Sequence, residues 1–273
     1  MIDIEQFSLK DRVIIITGAT GVLGGAFALG VARAGGKVVV LGRNKERAAQ
    51  RVSAIRSLGG EAFSILADVL DEGAMHAAKE EVLDTWGTID GLVNAAGGNI
   101  AGAVIQPEQD LFASDLSYTR EAVDLNLFGT VIPTYVFGRV MAEKGKGSIV
   151  NISSLAAQRS ITRVLGYTMA KSAIEAYTKW MAVELGLRYG GRIRVNAIAP
   201  GVFLTEQNHD LLLNPDGSYT NRTERYIVNT PYQRLGNPEE LIGTLVYLLS
   251  DASGFVSGET ILVDGGFTAY SGV

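Results

Sequence analysis

Cysteine is absent from the 273 residues, which removes disulfides, thiolate metal sites and cysteine nucleophiles. Histidine is almost absent: His76 and His209 stand alone without ligand spacing, so no metal site is expected. There is no basic excess either. A net charge of −5 offers no broad field for nucleic acid or anionic lipid. The apolar runs, such as residues 13–16, are strand-length and far short of the roughly 20 residues that cross a bilayer. The first ten residues are mixed and acidic, with no basic stretch leading into an apolar one. The expected partner is therefore a small molecule, with no nucleic acid and no membrane, and the expected location is cytoplasmic. Proline is scarce too, 6 against 33 glycines, so many places allow the backbone to turn tightly or approach something closely.

What is present is a repeating unit: a short β-branched run, a glycine or polar turn, then a helical pattern. Strands are expected at 13–17, 37–42, 61–66, 91–94, 148–153, 192–199 and 261–263. Helices are expected at 24–33, from Asn44 to the Gly59-Gly60 stop, and at 72–86, 120–143, 167–188 and 237–250. Asn237-Pro238-Glu239-Glu240 supplies an N-cap, an N1 proline and acidic first-turn residues. Apolar runs without alternation indicate strands covered on both faces, hence a parallel sheet between helix layers. The fold class is a single α/β domain, doubly wound and Rossmann-type, spanning 1–273. Residues 206–233 break the rhythm. They are polar, carry Asn214-Pro215-Asp216-Gly217 as a turn and Leu211–Leu213 as a short apolar patch, and read as a substrate-loop insertion.

Thr17-Gly18-Ala19-Thr20-Gly21-Val22-Leu23-Gly24 lies between the first strand and its helix. Glycines there let backbone approach a pyrophosphate, whose charge meets free N–H groups at the helix N-terminus. Gly18, Thr20, Gly21, Val22, Leu23 and Gly24 are therefore candidate cofactor contacts. The second strand ends Leu41-Gly42-Arg43-Asn44, with no acid to hold the ribose hydroxyls of NAD and a guanidinium suited to a 2′-phosphate. This favours NADP over NAD, with Arg43 and Asn44 at the adenosine end.

Tyr167 and Lys171 are four apart on one expected helix and share a face. A tyrosine titrates near pH 10 unperturbed. A neighbouring ammonium favours its anion and moves it towards working pH. Ser153 and Ser154 after the fifth strand, Asn94-Ala95-Ala96-Gly97 after the fourth and Pro200-Gly201 after the sixth emerge at the same sheet edge, where ligands bind in this architecture. Asn126 is awkward inside a helix unless its amide is used.

With these pieces in place the chain resembles the short-chain dehydrogenases/reductases over essentially its whole length. The glycine turn, Asp68-Val69, Asn94-Ala95-Ala96-Gly97, Asn126, Ser154, Tyr167-Thr-Met-Ala-Lys171 and Pro200-Gly201 with Thr205 carry the resemblance. It implies a seven-stranded sheet in the order 3-2-1-4-5-6-7, an NAD(P)-dependent enzyme acting on secondary alcohols and ketones, and a homotetramer. It implies Tyr167 as general acid/base and Lys171 as the residue that lowers its pKa and binds the nicotinamide ribose. It further implies Ser154 on the substrate oxygen and Asn126 in a water relay to the lysine. Asp68 and Val69 would contact adenine; Asn94, Ala95, Ala96, Gly97, Pro200, Gly201, Val202 and Thr205 would line the rest of the cofactor path. One departure stands out: the family's commonest pattern, Thr-Gly-x-x-x-Gly-x-Gly, has its middle glycine where this chain has Val22, the glycine lying at Gly21.

Within that family the chain looks most like bacterial sugar-acid members, the D-mannonate oxidoreductases (fructuronate reductases). That likeness rests on Phe203-Leu204-Thr205-Glu206-Gln207-Asn208, the insertion, and the tail from Val263 to Val273. Asn99, Glu206, Gln207, Asn208 and His209 are candidate hydroxyl partners, and Arg159 or Arg163 a candidate carboxylate partner. Two alternatives stay open: another carbonyl reductase, such as one acting on 3-oxoacyl groups, and a dinucleotide-binding protein without catalysis. Intact Ser154, Tyr167 and Lys171 argue against the second.

Overall fold

A computed structural model describes residues 4–205 and 208–272. Among them, strands β1 (Val13–Thr17), β2 (Lys37–Gly42), β3 (Ala62–Leu66), β4 (Gly91–Asn94), β5 (Gly147–Ile152), β6 (Ile193–Pro200) and β7 (Thr260–Val263) form one sheet. Their order is 3-2-1-4-5-6-7 and every pairing is parallel. The order reverses between β1 and β4, which opens a crevice at the carboxyl ends of the central strands. Neighbouring residues of one strand feed opposite cores. Ile14 and Ile16 pack with α1 (Val22–Arg33), α2 (Lys45–Ser57) and α9 (Ile242–Leu249). Val13 and Ile15 pack with α3 (Glu72–Trp86), α5 (Gly129–Lys144) and α6 (Leu165–Tyr189). This is why the strands read as unbroken apolar runs.

The helix boundaries follow capping chemistry. Asn44 Oδ1 accepts from Arg47 N at 2.9 Å and opens α2. Asn237 and Glu240 form a reciprocal capping box. The turn they open is a 3-10 turn, Pro238–Leu241, before α9 begins.

One expectation needs correction. The helix anticipated at 120–143 starts earlier, as α4 (Leu116–Val123), because Asp115 caps it by accepting from Ser117 N at 2.8 Å. It is then interrupted by a π-turn, Asp124–Phe128, before α5. Within the insertion, the described residues 208–233 carry a short helix at the Leu211–Leu213 patch and a second helix that sequence reading did not anticipate. They are α7 (His209–Leu212) and α8 (Asn221–Val228), joined through a Leu213–Tyr219 bridge, with α8 opened by the Thr220 cap on Thr223 N. Glu206 and Gln207, both expected near substrate, lie outside the described residues. Among the described residues no helix is long and apolar enough to cross a membrane, and no histidine–acid cluster could hold a metal ion.

Candidate active site

One cavity of about 630 Å³ runs across the carboxyl edge of the sheet, from Arg43 and Asn44 after β2 to Ser154, Tyr167 and Lys171. Its size suits a dinucleotide and a small substrate together. At its phosphate section, α1 begins directly after Gly21. A Cβ on Gly24 would stand 2.3 Å from Gly18 O, so the turn closes only with glycine at that position. The turn thus forms despite Val22, which serves as the first residue of α1. The glycine cradle with helix N–H groups behind it fits a pyrophosphate. Gly18, Thr20, Gly21, Val22, Leu23 and Gly24 all line the cavity.

Along the same path lie Asp68, Val69, Ala95, Ala96, Gly97, Pro200, Gly201, Val202 and Thr205. Thr17 Oγ1 accepts from the N–H groups of Ala95 and Ala96, both at 3.1 Å, and holds that turn against β1. Asn94 does not reach the cavity. Its Nδ2 donates to Thr134 Oγ1 and Asn151 Oδ1, both at 2.8 Å, and Asn151 continues to Thr178, so this buried chain ties α5 and α6 to the sheet. At the adenosine end, Arg43 Nη1 and Asp68 Oδ2 meet at 3.1 Å on the open rim. Such an exposed pair is worth little and leaves the guanidinium available to another anion.

The chemical end is built from three elements. Tyr167 and Lys171 stand one turn apart on α6, with Lys171 Nζ 5.4 Å from the phenol ring centre. Lys171 is 5% exposed and donates to Ile152 O at 2.8 Å. Burial lowers its pKa to about 8 from the usual 10.5, so the ammonium persists at neutral pH. Burial pushes the Tyr167 phenol up, opposed by the Ser154 hydroxyl that hydrogen-bonds it, while the nearby Tyr226 adds to the rise. Tyr167 therefore carries its proton at neutral pH. Ser154 is set by the turn after β5 and its Oγ also accepts from Ala156 N at 3.1 Å. Ser153 is differently engaged, donating to the buried carboxylate of Glu175 at 2.9 Å. This separation agrees with Ser154 as the one facing the phenol.

Asn126 sits in the π-turn, fully buried and off the cavity wall. Its Oδ1 accepts from Gly98 N at 2.9 Å, and its Nδ2 donates to Gly98 O and Ala122 O, both at 2.8 Å. The carboxamide is thus committed to backbone and fixes the Gly97-Gly98 strip. A Cβ at Gly97, where φ is +152°, would lie 2.6 Å from Asn126 Oδ1 and 3.5 Å from Lys171 Nζ.

On the substrate side, Asn99 and Asn208 line the cavity. Asn208 also braces its own turn, accepting from Thr205 N at 2.7 Å and donating to Phe203 O at 2.8 Å. Neither arginine of the 154–167 loop lines the cavity. Arg159 is turned to the carbonyl of Thr268 and fastens the C-terminal segment. Arg163 adopts φ +76°, and its carbonyl accepts from Ile105 N at 2.9 Å. Arg222 and Tyr226 of α8 line the cavity instead, with Ile161, Val164, Leu211 and Leu212. Sequence reading missed this pair, although Arg and Tyr four apart after a threonine cap are a one-sided helical signal.

A glycine-cradled dinucleotide path ending at a tyrosine–lysine–serine group defines a nicotinamide-dependent oxidoreductase. Similar proteins agree with this class. The family model described as enoyl-(acyl carrier protein) reductase matches residues 18–268. UxuB, an oxidoreductase of Bacillus subtilis whose own activity is uncharacterised, is 42% identical over 97% of this chain and 98% of its own. A Haemophilus influenzae structure with bound NAD, described provisionally as a D-mannonate oxidoreductase, superposes with a TM-score of 0.90 at 37% identity, covering 97% and 98% of the two chains. A gluconate 5-dehydrogenase from Burkholderia cenocepacia, in complex with NADP and tartrate, gives 0.85 at 33% identity, covering 97% and 98%. The chain belongs to the short-chain dehydrogenases/reductases and is an NAD(P)-dependent enzyme acting on alcohol groups.

Proposed function

We propose that the enzyme interconverts a sugar acid and its keto form, such as D-mannonate and D-fructuronate. In reduction Tyr167 gives its phenolic proton to the carbonyl oxygen; in oxidation it takes the proton back. Ser154 hydrogen-bonds that same oxygen, and the Lys171 ammonium makes the tyrosinate less costly to form. Asn126 keeps the Gly97-Gly98 strip in place beside Lys171. When bound, the nicotinamide supplies or accepts the hydride at the carbonyl carbon.

The observation that carries the substrate class is the lining of the cavity that holds Tyr167, to which Asn99, Asn208, Arg222 and Tyr226 contribute polar groups. The sugar-acid names of similar structures support the same class. A 3-oxoacyl substrate is the second reading, favoured by the apolar flank of Ile161, Val164, Leu211 and Leu212. A panel of aldonates, keto-aldonates and acetoacetyl thioesters, followed by the absorbance of reduced nicotinamide with both cofactors, separates them. Turnover of thioesters without turnover of any sugar acid would overturn the first reading.

NADP is the favoured cofactor, because Gly42 stands where an acid would hold a ribose and Arg43 and Arg47 line that end of the cavity. Arg43→Ala should weaken NADP binding about 10- to 100-fold and NAD binding far less, as loss of a charged hydrogen bond does. Equal losses in a fluorescence titration would assign Arg43 a structural role only. A homotetramer is the favoured assembly, supported by Trp180, Val183 and Leu187, which lie exposed along α6.

A further inference from the structure

Helix α8 brings two side chains, Arg222 and Tyr226, to the lining of the cavity that holds Tyr167. Arg222 Nη2 donates to Tyr226 Oη at 3.0 Å, and the guanidinium stacks 5.3 Å from the Tyr226 ring centre. The same guanidinium is anchored to the 154–167 loop, donating to Thr162 Oγ1 at 3.0 Å and Thr162 O at 3.1 Å. These three bonds leave two of the five arginine N–H donors unused. They also make Tyr226 Oη an acceptor, so its own proton remains to be donated. Tyr226 stands close enough to Tyr167 to influence its titration.

Among the described residues Arg222 forms no ion pair. Among the described residues, the carboxylate on the cavity wall is Asp68, which lies at the adenosine end with Arg43. A partly buried cation without a counter-ion among the described residues, braced on both sides and backed by a donor hydroxyl, is complementary to an anionic oxygen pair. The cations that line the cavity at its chemical end are Lys171, which is occupied with Ile152 O and Tyr167, and Arg222.

We infer that Arg222, with the hydroxyl of Tyr226, binds the carboxylate of the substrate and selects acids over the matching uncharged sugars. The inference rests on the sugar-acid reading and replaces Arg159 and Arg163 with a residue of the insertion. It also gives α7 and α8 a purpose: they carry the specificity group over a reaction site built from the sheet edge.

The test compares D-fructuronate with D-fructose, which differ in carboxylate against hydroxymethyl, using the intact enzyme and its better cofactor. Arg222→Gln should lower the kcat/KM ratio of acid to neutral sugar about 10- to 100-fold, mainly through KM for the acid. Arg222→Lys, which keeps the charge and loses the fork, should fall between. Tyr226→Phe should lower the ratio less than Arg222→Gln. Calorimetric binding of D-mannonate to the cofactor-loaded protein should weaken in parallel. If wild type turns over fructuronate and Arg222→Gln leaves the ratio and the binding intact, the inference is overturned while the sugar-acid reading stands. If wild type turns over no sugar acid, the reading fails and takes the inference with it.

Discussion

Replacing Lys171 with Met should disable the enzyme without weakening the fold. Burial holds the Lys171 ammonium at a pKa of about 8 against 10.5 in an exposed lysine. At about 1.4 kcal/mol per pKa unit, the native state at pH 7 is destabilised by about 3 kcal/mol for keeping that charge inside. The bond to Ile152 O at 2.8 Å offsets about 1.5–3 kcal/mol of this. The substitution removes both, so the net change at pH 7 should be a gain of about 0–2 kcal/mol, or a few degrees in Tm. The pH dependence is more telling. From about pH 8 to 10.5 the unfolded chain binds the proton more tightly than the folded one, so wild-type stability rises with pH through that window. Between pH 7 and about pH 9.5, wild type should recover about 2 kcal/mol relative to Lys171→Met, because every other titrating group is common to both. Paired thermal melts at the two pH values measure this directly. A Tm difference that does not change with pH would refute the buried-ammonium argument, as would a variant several kcal/mol less stable at neutral pH.

Gly24→Ala should raise the dissociation constant of either cofactor and destabilise by about 1–3 kcal/mol, because its methyl would meet Gly18 O at 2.3 Å and the turn must move; unchanged binding in a fluorescence titration would contradict the cradle. Asn126→Ala should destabilise by about 1–3 kcal/mol by leaving the buried Gly98 N–H without its partner. It should also lower turnover through the loosened Gly97-Gly98 strip, which hydrogen exchange at Gly98 would report.

The sheet was legible because each central strand is covered on both faces, which leaves runs such as Val38 to Leu41 without a polar position. Helix starts were legible where a cap is local, as at Asn44 and Asn237. The π-turn at Asn126 was not, because shifting one hydrogen-bond register leaves the apolar spacing nearly unchanged. At the site, Ser154, Tyr167 and Lys171 followed from spacing and from the resemblance it supports, since neighbouring βα junctions of a parallel sheet emerge together. The arginine that lines the substrate side of the cavity did not follow. Arg159 is drawn to Thr268, 109 residues away, and Arg222 reaches the cavity only because the insertion folds back over it. Pairings of that range leave no local mark in a chain.

The central claim is that Tyr167 moves the proton, and Tyr167→Phe tests it most directly. Turnover of the best substrate should fall by at least about 100-fold while the cofactor dissociation constant stays within a few-fold. Retained turnover, in a protein that binds its cofactor normally, would contradict the account.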